Sequence, residues 1–102
     1  MQLRVQREAF DFGYEANTFA MAQSNMGAIV TFSGVVRNLV GIKLSYITIE
    51  HYPGMAEKMI GKIVDDAANR WSLGDVLVIH RYGCLAPGDL IMMVATASKH
   101  RK

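Results

Sequence analysis

Apolar and polar positions change rhythm along this chain, and the changes mark out seven elements. From Leu3 to Phe10 they alternate, Leu3 and Val5 against Arg4 and Gln6, which predicts a first strand. Glu15 to Met26 predicts a short helix, with Phe19, Ala20 and Ala22 in its middle and Gly27 to end it. Ala28 to Val36 is rich in β-branched and aromatic residues and predicts a buried strand. Asn38 to Lys43, containing Gly41, then reads as a turn into Leu44 to Tyr52, so these two strands are expected to form a hairpin. Pro53-Gly54 ends the second of them, and the period changes from 2 to 3.6. Met55, Met59, Ile63, Ala67 and Trp71 mark one helical stripe, broadened by Ile60 and Val64, with Glu57, Lys58, Lys62, Asp65, Asp66 and Arg70 mainly on the other side. The methionines of that stripe are expected to fill core. Asp75 to Cys84 and Leu90 to Ser98 predict two last strands, joined by a turn on Pro87-Gly88-Asp89.

The order β, α, β, β, α, β, β gives an α+β fold. An antiparallel or mixed sheet is expected, with one long and one shorter helix on one face, in a single domain over residues 1–102. No repeat, low-complexity segment or linker interrupts it.

Composition narrows the functional classes. Half of the residues (51%) are apolar and 20% are charged, a globular balance that excludes intrinsic disorder. At this length folding buries roughly 60–65% of the unfolded chain's surface, so stability is thin and a partner would add to it. Apolar runs such as Leu90 to Ala95 fall far short of the roughly 20 residues of a membrane span. Arg4, Arg7 and Glu8 break any signal-peptide pattern, and the expected compartment is the cytoplasm. One cysteine, Cys84, excludes an internal disulfide and a multi-cysteine metal site. A net charge of +2 is too small for a general polyanion binder. Its distribution is more telling, because Lys99, His100, Arg101 and Lys102 follow one another. Composition leaves two readings open for that run, a solvated terminus or one wall of an anion site.

Arg37 ends an otherwise apolar strand, and Gly34 nearby permits close backbone approach. A guanidinium at a strand end can hold a phosphate through two parallel hydrogen bonds. His100 and Arg101 also follow a strand; if the two strands end on one rim, Arg37 and Arg101 would face a common anion. His80-Arg81 sits mid-strand and reads as structural, as does His51. Three histidines at positions 51, 80 and 100 have no metal-ligand spacing, and no metal site is expected. Glu50 and His51 point to opposite faces of a strand and would not cooperate on one atom. Cys84 is expected as a small buried hydrophobe rather than a nucleophile. The usual glycine-rich nucleotide loops are absent from the sequence.

Three segments, in order, carry a family resemblance: Gly34-Val35-Val36-Arg37-Asn38, Thr48-Ile49-Glu50-His51-Tyr52-Pro53-Gly54-Met55, and His100-Arg101. Together they resemble the large, catalytic subunit of molybdopterin synthase, over nearly all of the chain from Gly27 to Arg101. The resemblance implies that subunit's fold and a sulfurtransferase activity without metal or other cofactor. The substrate would be cyclic pyranopterin monophosphate, converted to the dithiolene of molybdopterin. Sulfur would come from the C-terminal thiocarboxylate of a ubiquitin-like small subunit, whose tail enters the large subunit's pocket. Large subunits would pair as a homodimer within a heterotetramer, with neither nucleic acid nor membrane as a partner. Carried over by motif, Val35, Val36 and Arg37 would contact substrate. His100 and Arg101 would serve the same pterin and phosphate pocket, and Arg37, His100 and Arg101 would stabilise charge during transfer. The segment from Glu50 to Met55 is read as a strand-to-helix corner. After the His-Arg pair the family continues through another helix to two working lysines, and Lys102 aligns with neither. The connection after Arg37 is also short for the family, so segments that the family carries are expected to be missing from this sequence. The alternative is a non-catalytic dimeric relative that keeps Arg37, His100 and Arg101 for an anion or pterin. A nucleic-acid-binding domain using the terminal basic run ranks last, for want of interleaved aromatics.

Overall fold

A computed structural model of the chain describes residues 1–37, 46–50 and 54–99. The alternating start folds as β1 (Gln2–Gln6), shorter than expected. Asp11 then caps α1 (Phe12–Met21), its carboxylate accepting the Tyr14 N–H at 3.0 Å. This cap starts the helix three residues before Glu15. An aspartate that satisfies a free first-turn amide sets a helix start that apolar periodicity does not register. There follow β2 (Ala28–Val35), β3 (Ile47–Ile49), α2 (Met55–Trp71), β4 (Asp75–Arg81), β5 (Gly83–Leu85) and β6 (Leu90–Ser98). Helix α2 has the expected bounds, with left-handed residues Gly54 (φ 84°) and Ser72 (φ 54°) closing its two ends. The single strand expected over Asp75 to Cys84 is two strands, divided at Tyr82.

Four strands form one mixed sheet in the order β1-β4-β6-β2, with β1 parallel to β4 and the other neighbours antiparallel. The α+β class is as expected, with one long helix and one shorter. The helices, however, lie on opposite faces of the sheet rather than on one. Alternation along β4 gives each face its own apolar set. Leu77 and Ile79, with Met93, Ala95 and Ala97 of β6, pack against Phe19 of α1. Val76 and Val78 pack against Val64 and Ile60 of α2. Arg4 faces the first of these layers and pairs there with Glu15, tying β1 to α1.

Three further expectations are corrected. The hairpin between the second and third strands does not form: β2 pairs with β6 over eight positions, and β3 pairs with β5 in a separate two-stranded sheet. A long partner offers many more ladder bonds than a three-residue neighbour, so pairing overrides sequence proximity. Nor is β2 buried. It is the outer strand, α2 lies over β1 and β4, and Val30 and Phe32 are left 64% and 62% exposed. On α2 the helical period holds but the buried face is a different one. Met55, Met59, Ile63 and Trp71 are exposed, while Ile60 and Val64 meet the sheet. Met55 and Met59 therefore do not fill core.

Candidate functional site

The end of β2 is built by two features that lie far apart in the sequence. Gly34 faces Met92, where a Cβ would come within 3.2 Å of the Met92 Cγ, and the register with β6 shifts between Gly34 and Val35. Beyond the shift, the Val36 N–H donates to the Asp89 carbonyl at 2.9 Å, and the Val36 carbonyl accepts from Gly88 N–H at 2.8 Å. The expected Pro87-Gly88-Asp89 turn is thus what seats this segment. Gly88 has φ 97°, a conformation that side-chain-bearing residues resist, and the Asp89 carboxylate accepts the Ala86 N–H at 2.9 Å. Val36 is buried at 4% exposure, Val35 is half exposed, and Arg37 is presented to solvent. The three residues singled out from the sequence form one anchored strand end with an exposed guanidinium-bearing side chain at its tip.

The neighbouring cations at this end of the sheet are occupied. The Arg81 guanidinium donates to the Arg7 carbonyl at 3.1 and 2.9 Å, and Arg7 lies over the Tyr82 ring at 5.5 Å from its centroid. His80, read as structural, is half-buried on the α2 side, with Nδ1 2.9 Å from the Arg81 carbonyl oxygen. Among the described residues no three His, Cys, Asp or Glu side chains come together as a metal site. Cys84 is exposed on β5 opposite Thr48, contrary to the buried position expected for it. The two-stranded sheet is too small to cover both of its faces.

His100, Arg101 and Lys102 lie outside the described residues, as do His51, Pro53 and the connection over residues 38–45. Lys99 is the last described residue and directly follows β6. Ser98 pairs with Ala28, and the Gly27 N–H donates to the Ser98 carbonyl at 2.9 Å. Val35 pairs with Leu90 at the other end of β6. Arg37 and Lys99 therefore leave the sheet at opposite ends, so the two strands do not end on one rim.

The Lys99 end carries residues that sequence reasoning passed over. A groove of about 800 Å³ opens there between α2 and the edge of the sheet, lined by Met26, Val30, Arg70, Trp71 and Lys99 among others. The Arg70 guanidinium lies 4.9 Å from the centre of the Trp71 ring. The sequence signal was present in the lone tryptophan beside an arginine at a helix end, but the helical stripe absorbed it as core. A second, apolar trough of about 280 Å³ runs between α2 and strands β4 and β6, walled by Ile63, Val64, Val78 and Val94.

Comparison with known proteins places this arrangement. The family model described as MoaE protein matches residues 5–102. The molybdopterin synthase catalytic subunit of Cereibacter sphaeroides is 55% identical over 101 residues, which are 99% of this chain and 68% of that protein. Among solved structures, molybdopterin cofactor biosynthesis protein E from Burkholderia multivorans superposes with a TM-score of 0.84 at 41% identity, covering 98% of this chain and 65% of that one. Molybdopterin synthase from Staphylococcus aureus gives 0.83 at 30% identity, covering 97% of this chain and 72% of that one. The chain thus spans about two thirds of the length of these relatives. With the match extending over nearly every residue and the fold shared, this chain belongs to the MoaE family.

Proposed function

We propose that this chain is the sulfur-accepting, catalytic subunit of a molybdopterin synthase. It would receive sulfur from the C-terminal thiocarboxylate of a ubiquitin-like small subunit and transfer it to cyclic pyranopterin monophosphate, forming the dithiolene, in the cytoplasm. The observation that carries the reading is family membership at 55% identity together with the seating of Val35-Val36-Arg37 on the Pro87–Asp89 turn. A strand end fixed by two backbone hydrogen bonds holds the Arg37 backbone in place, so binding orders the side chain without ordering the segment that bears it, which suits a group that positions phosphate.

In this reading Arg37 holds the substrate's phosphate through paired charged hydrogen bonds, and His100 and Arg101 extend the cationic pocket. Val35 supplies an apolar wall beside it. These groups orient the pterin and stabilise negative charge as the thiocarboxylate sulfur is transferred. None of them forms a covalent bond to sulfur. The chain works as a homodimer in a heterotetramer, with one small subunit per copy and no metal in the reaction.

The test is a reconstitution. The purified chain is mixed with thiocarboxylated small subunit and cyclic pyranopterin monophosphate, and dithiolene product is followed. Product formation supports the reading. Pterin binding without product would instead support a non-catalytic, anion-binding relative.

A further inference from the structure

Arg37 takes its direction from a break in the register of the sheet. Along β2 and β6 the partners run in step as far as Gly34 and Met92, but the next pair is Val35 with Leu90. One step on β2 thus matches two steps on β6, and Ile91 is the extra residue of a β-bulge. A bulge bends its strand and re-aims the side chains beyond it, which is why bulges gather beside active sites. In unbroken register Val35 would pair with Ile91, and a slip of one residue turns the following side chains to the other face. The way Arg37 leaves the sheet therefore depends on Ile91 staying out of the ladder. Because a bulge disrupts the ladder around it, contacts from outside the two strands are needed to hold it.

Arg81 is placed to do so. His80 pairs with Met92, so the next residue of β4, Arg81, comes level with Ile91. Its Nε and Nη2 donate to the Arg7 carbonyl at 3.1 and 2.9 Å, and its Nη1 reaches the Leu90 carbonyl at 3.5 Å. Arg7 follows β1 and Leu90 opens β6, the two strands that flank β4. The acceptor on the β1 side is itself fixed: the Tyr82 N–H donates to the Gln6 carbonyl at 3.0 Å, and Arg7 lies over the Tyr82 ring. A planar fork of donors can engage carbonyls on both sides at once, which the compact ammonium of a lysine cannot. Leu90 in turn stands between the extra residue and Asp89, whose carbonyl takes the Val36 N–H.

We infer that Arg81 is a positioning residue for Arg37: its guanidinium holds the bulge at Ile91 open and so fixes how Arg37 is presented to the substrate's phosphate. The inference rests on the phosphate-binding role proposed for Arg37, and adds a residue that acts through Arg37 without touching substrate. Loss of the Arg81 guanidinium releases the Leu90 carbonyl from its β4 side. The β2 and β6 strands then relax towards regular pairing, and Arg37 turns away with its own side chain intact. Arg81 thereby acts on phosphate affinity through register alone.

A double-mutant cycle separates this from a merely structural role. Cyclic pyranopterin monophosphate is titrated into the parent chain, Arg81→Ala, Arg37→Ala and the double variant, with far-ultraviolet circular dichroism on each. Arg81→Ala should weaken binding by about ten- to a hundredfold, what misplacing a positioning group by about an ångström costs. Added to Arg37→Ala, it should cause no further loss. Parent-like binding by Arg81→Ala would overturn the inference. So would an equal loss in both backgrounds, since Arg81 would then act by some route other than Arg37. Should Arg81→Ala fail to fold, Arg81→Lys keeps the charge and reaches one carbonyl only. In that variant the Val36 amide, which donates to the Asp89 carbonyl, should exchange its hydrogen faster, while that of Ile79, fully buried in β4, keeps the parent's rate. Equal protection of Val36 in parent and variant would also overturn the inference. If Arg37→Ala binds as well as the parent, the phosphate role of Arg37 is what fails, and Val36 exchange still decides whether Arg81 holds the bulge.

Discussion

Arg37 and Asp75 show how differently two charged residues can be read. Arg37 was legible from sequence because it ends an apolar strand within a family motif. Its anchoring was not, since the Gly88 and Asp89 partners of Val36 lie some fifty positions away. Arg37→Ala should weaken binding of cyclic pyranopterin monophosphate by about 1–3 kcal/mol, the range of a charged hydrogen bond, and calorimetric titration would read it. Asp75 gave no signal in the sequence beyond starting a strand. In the fold its carboxylate accepts from Gln23 at 2.8 Å and from the Val76 N–H at 2.8 Å, and pairs with the N-terminal ammonium at 3.0 Å. Burial pushes its pKa up, but the hydrogen bonds from Gln23, the ammonium and Val76 outweigh it and hold the carboxyl below its ordinary value. A depressed folded pKa means that the charged form favours folding. That stability is present above the unfolded carboxylate value of about 3.9 and is lost as pH falls from there through the folded value. Melting temperature should therefore drop on acidification through that window, and less steeply in Asp75→Asn.

Among the elements, the two helices separate local from non-local information. The start of α1 is local, set by the Asp11 side chain on the Tyr14 amide. Asp11→Ala should cost about 1 kcal/mol, lowering the melting temperature by about 4–8 °C in a domain of this size. The buried face of α2 is non-local. Val64, 8% exposed, and Ile63, 65% exposed, are equally apolar neighbours in the sequence. Val64→Ala should destabilise by about 2 kcal/mol through lost burial and the cavity left behind. Ile63→Ala should stay within about 0.5 kcal/mol. Denaturant midpoints of the two variants would show whether the helix is seated on this face. The period of α2 was readable because 3.6-residue spacing belongs to the helix itself. Which of two adjoining stripes is buried depends on where the sheet lies, and strands from both sides of α2 in the sequence make that sheet.

For the whole molecule, β2 is the last strand of its sheet among the described residues and leaves Val30 and Phe32 exposed, and the homodimer proposed for this chain predicts stability that depends on association. If the chain folds as part of that homodimer, the melting temperature should rise with protein concentration, since mass action favours the folded dimer. Calorimetry over a hundredfold range of concentration would read this, and a constant value would mean that the single copy is the folding unit. The sequence alone determined the order of strands and helices, apart from the division of the Asp75–Cys84 strand at Tyr82, together with the α+β class, the Pro87–Asp89 turn and the motifs of Arg37 and of His100-Arg101. Each of these is written in residues within a few positions of one another, through period, turn chemistry or direct spelling. Only the tertiary structure decided that β2 leaves β3 for β6, that the helices take opposite faces, and that Arg37 and Lys99 leave opposite ends of the sheet. Those are outcomes of competition between distant pairings, in which each strand takes the partner that satisfies the most backbone groups and buries the most apolar surface. No local stretch of sequence carries the terms of that competition.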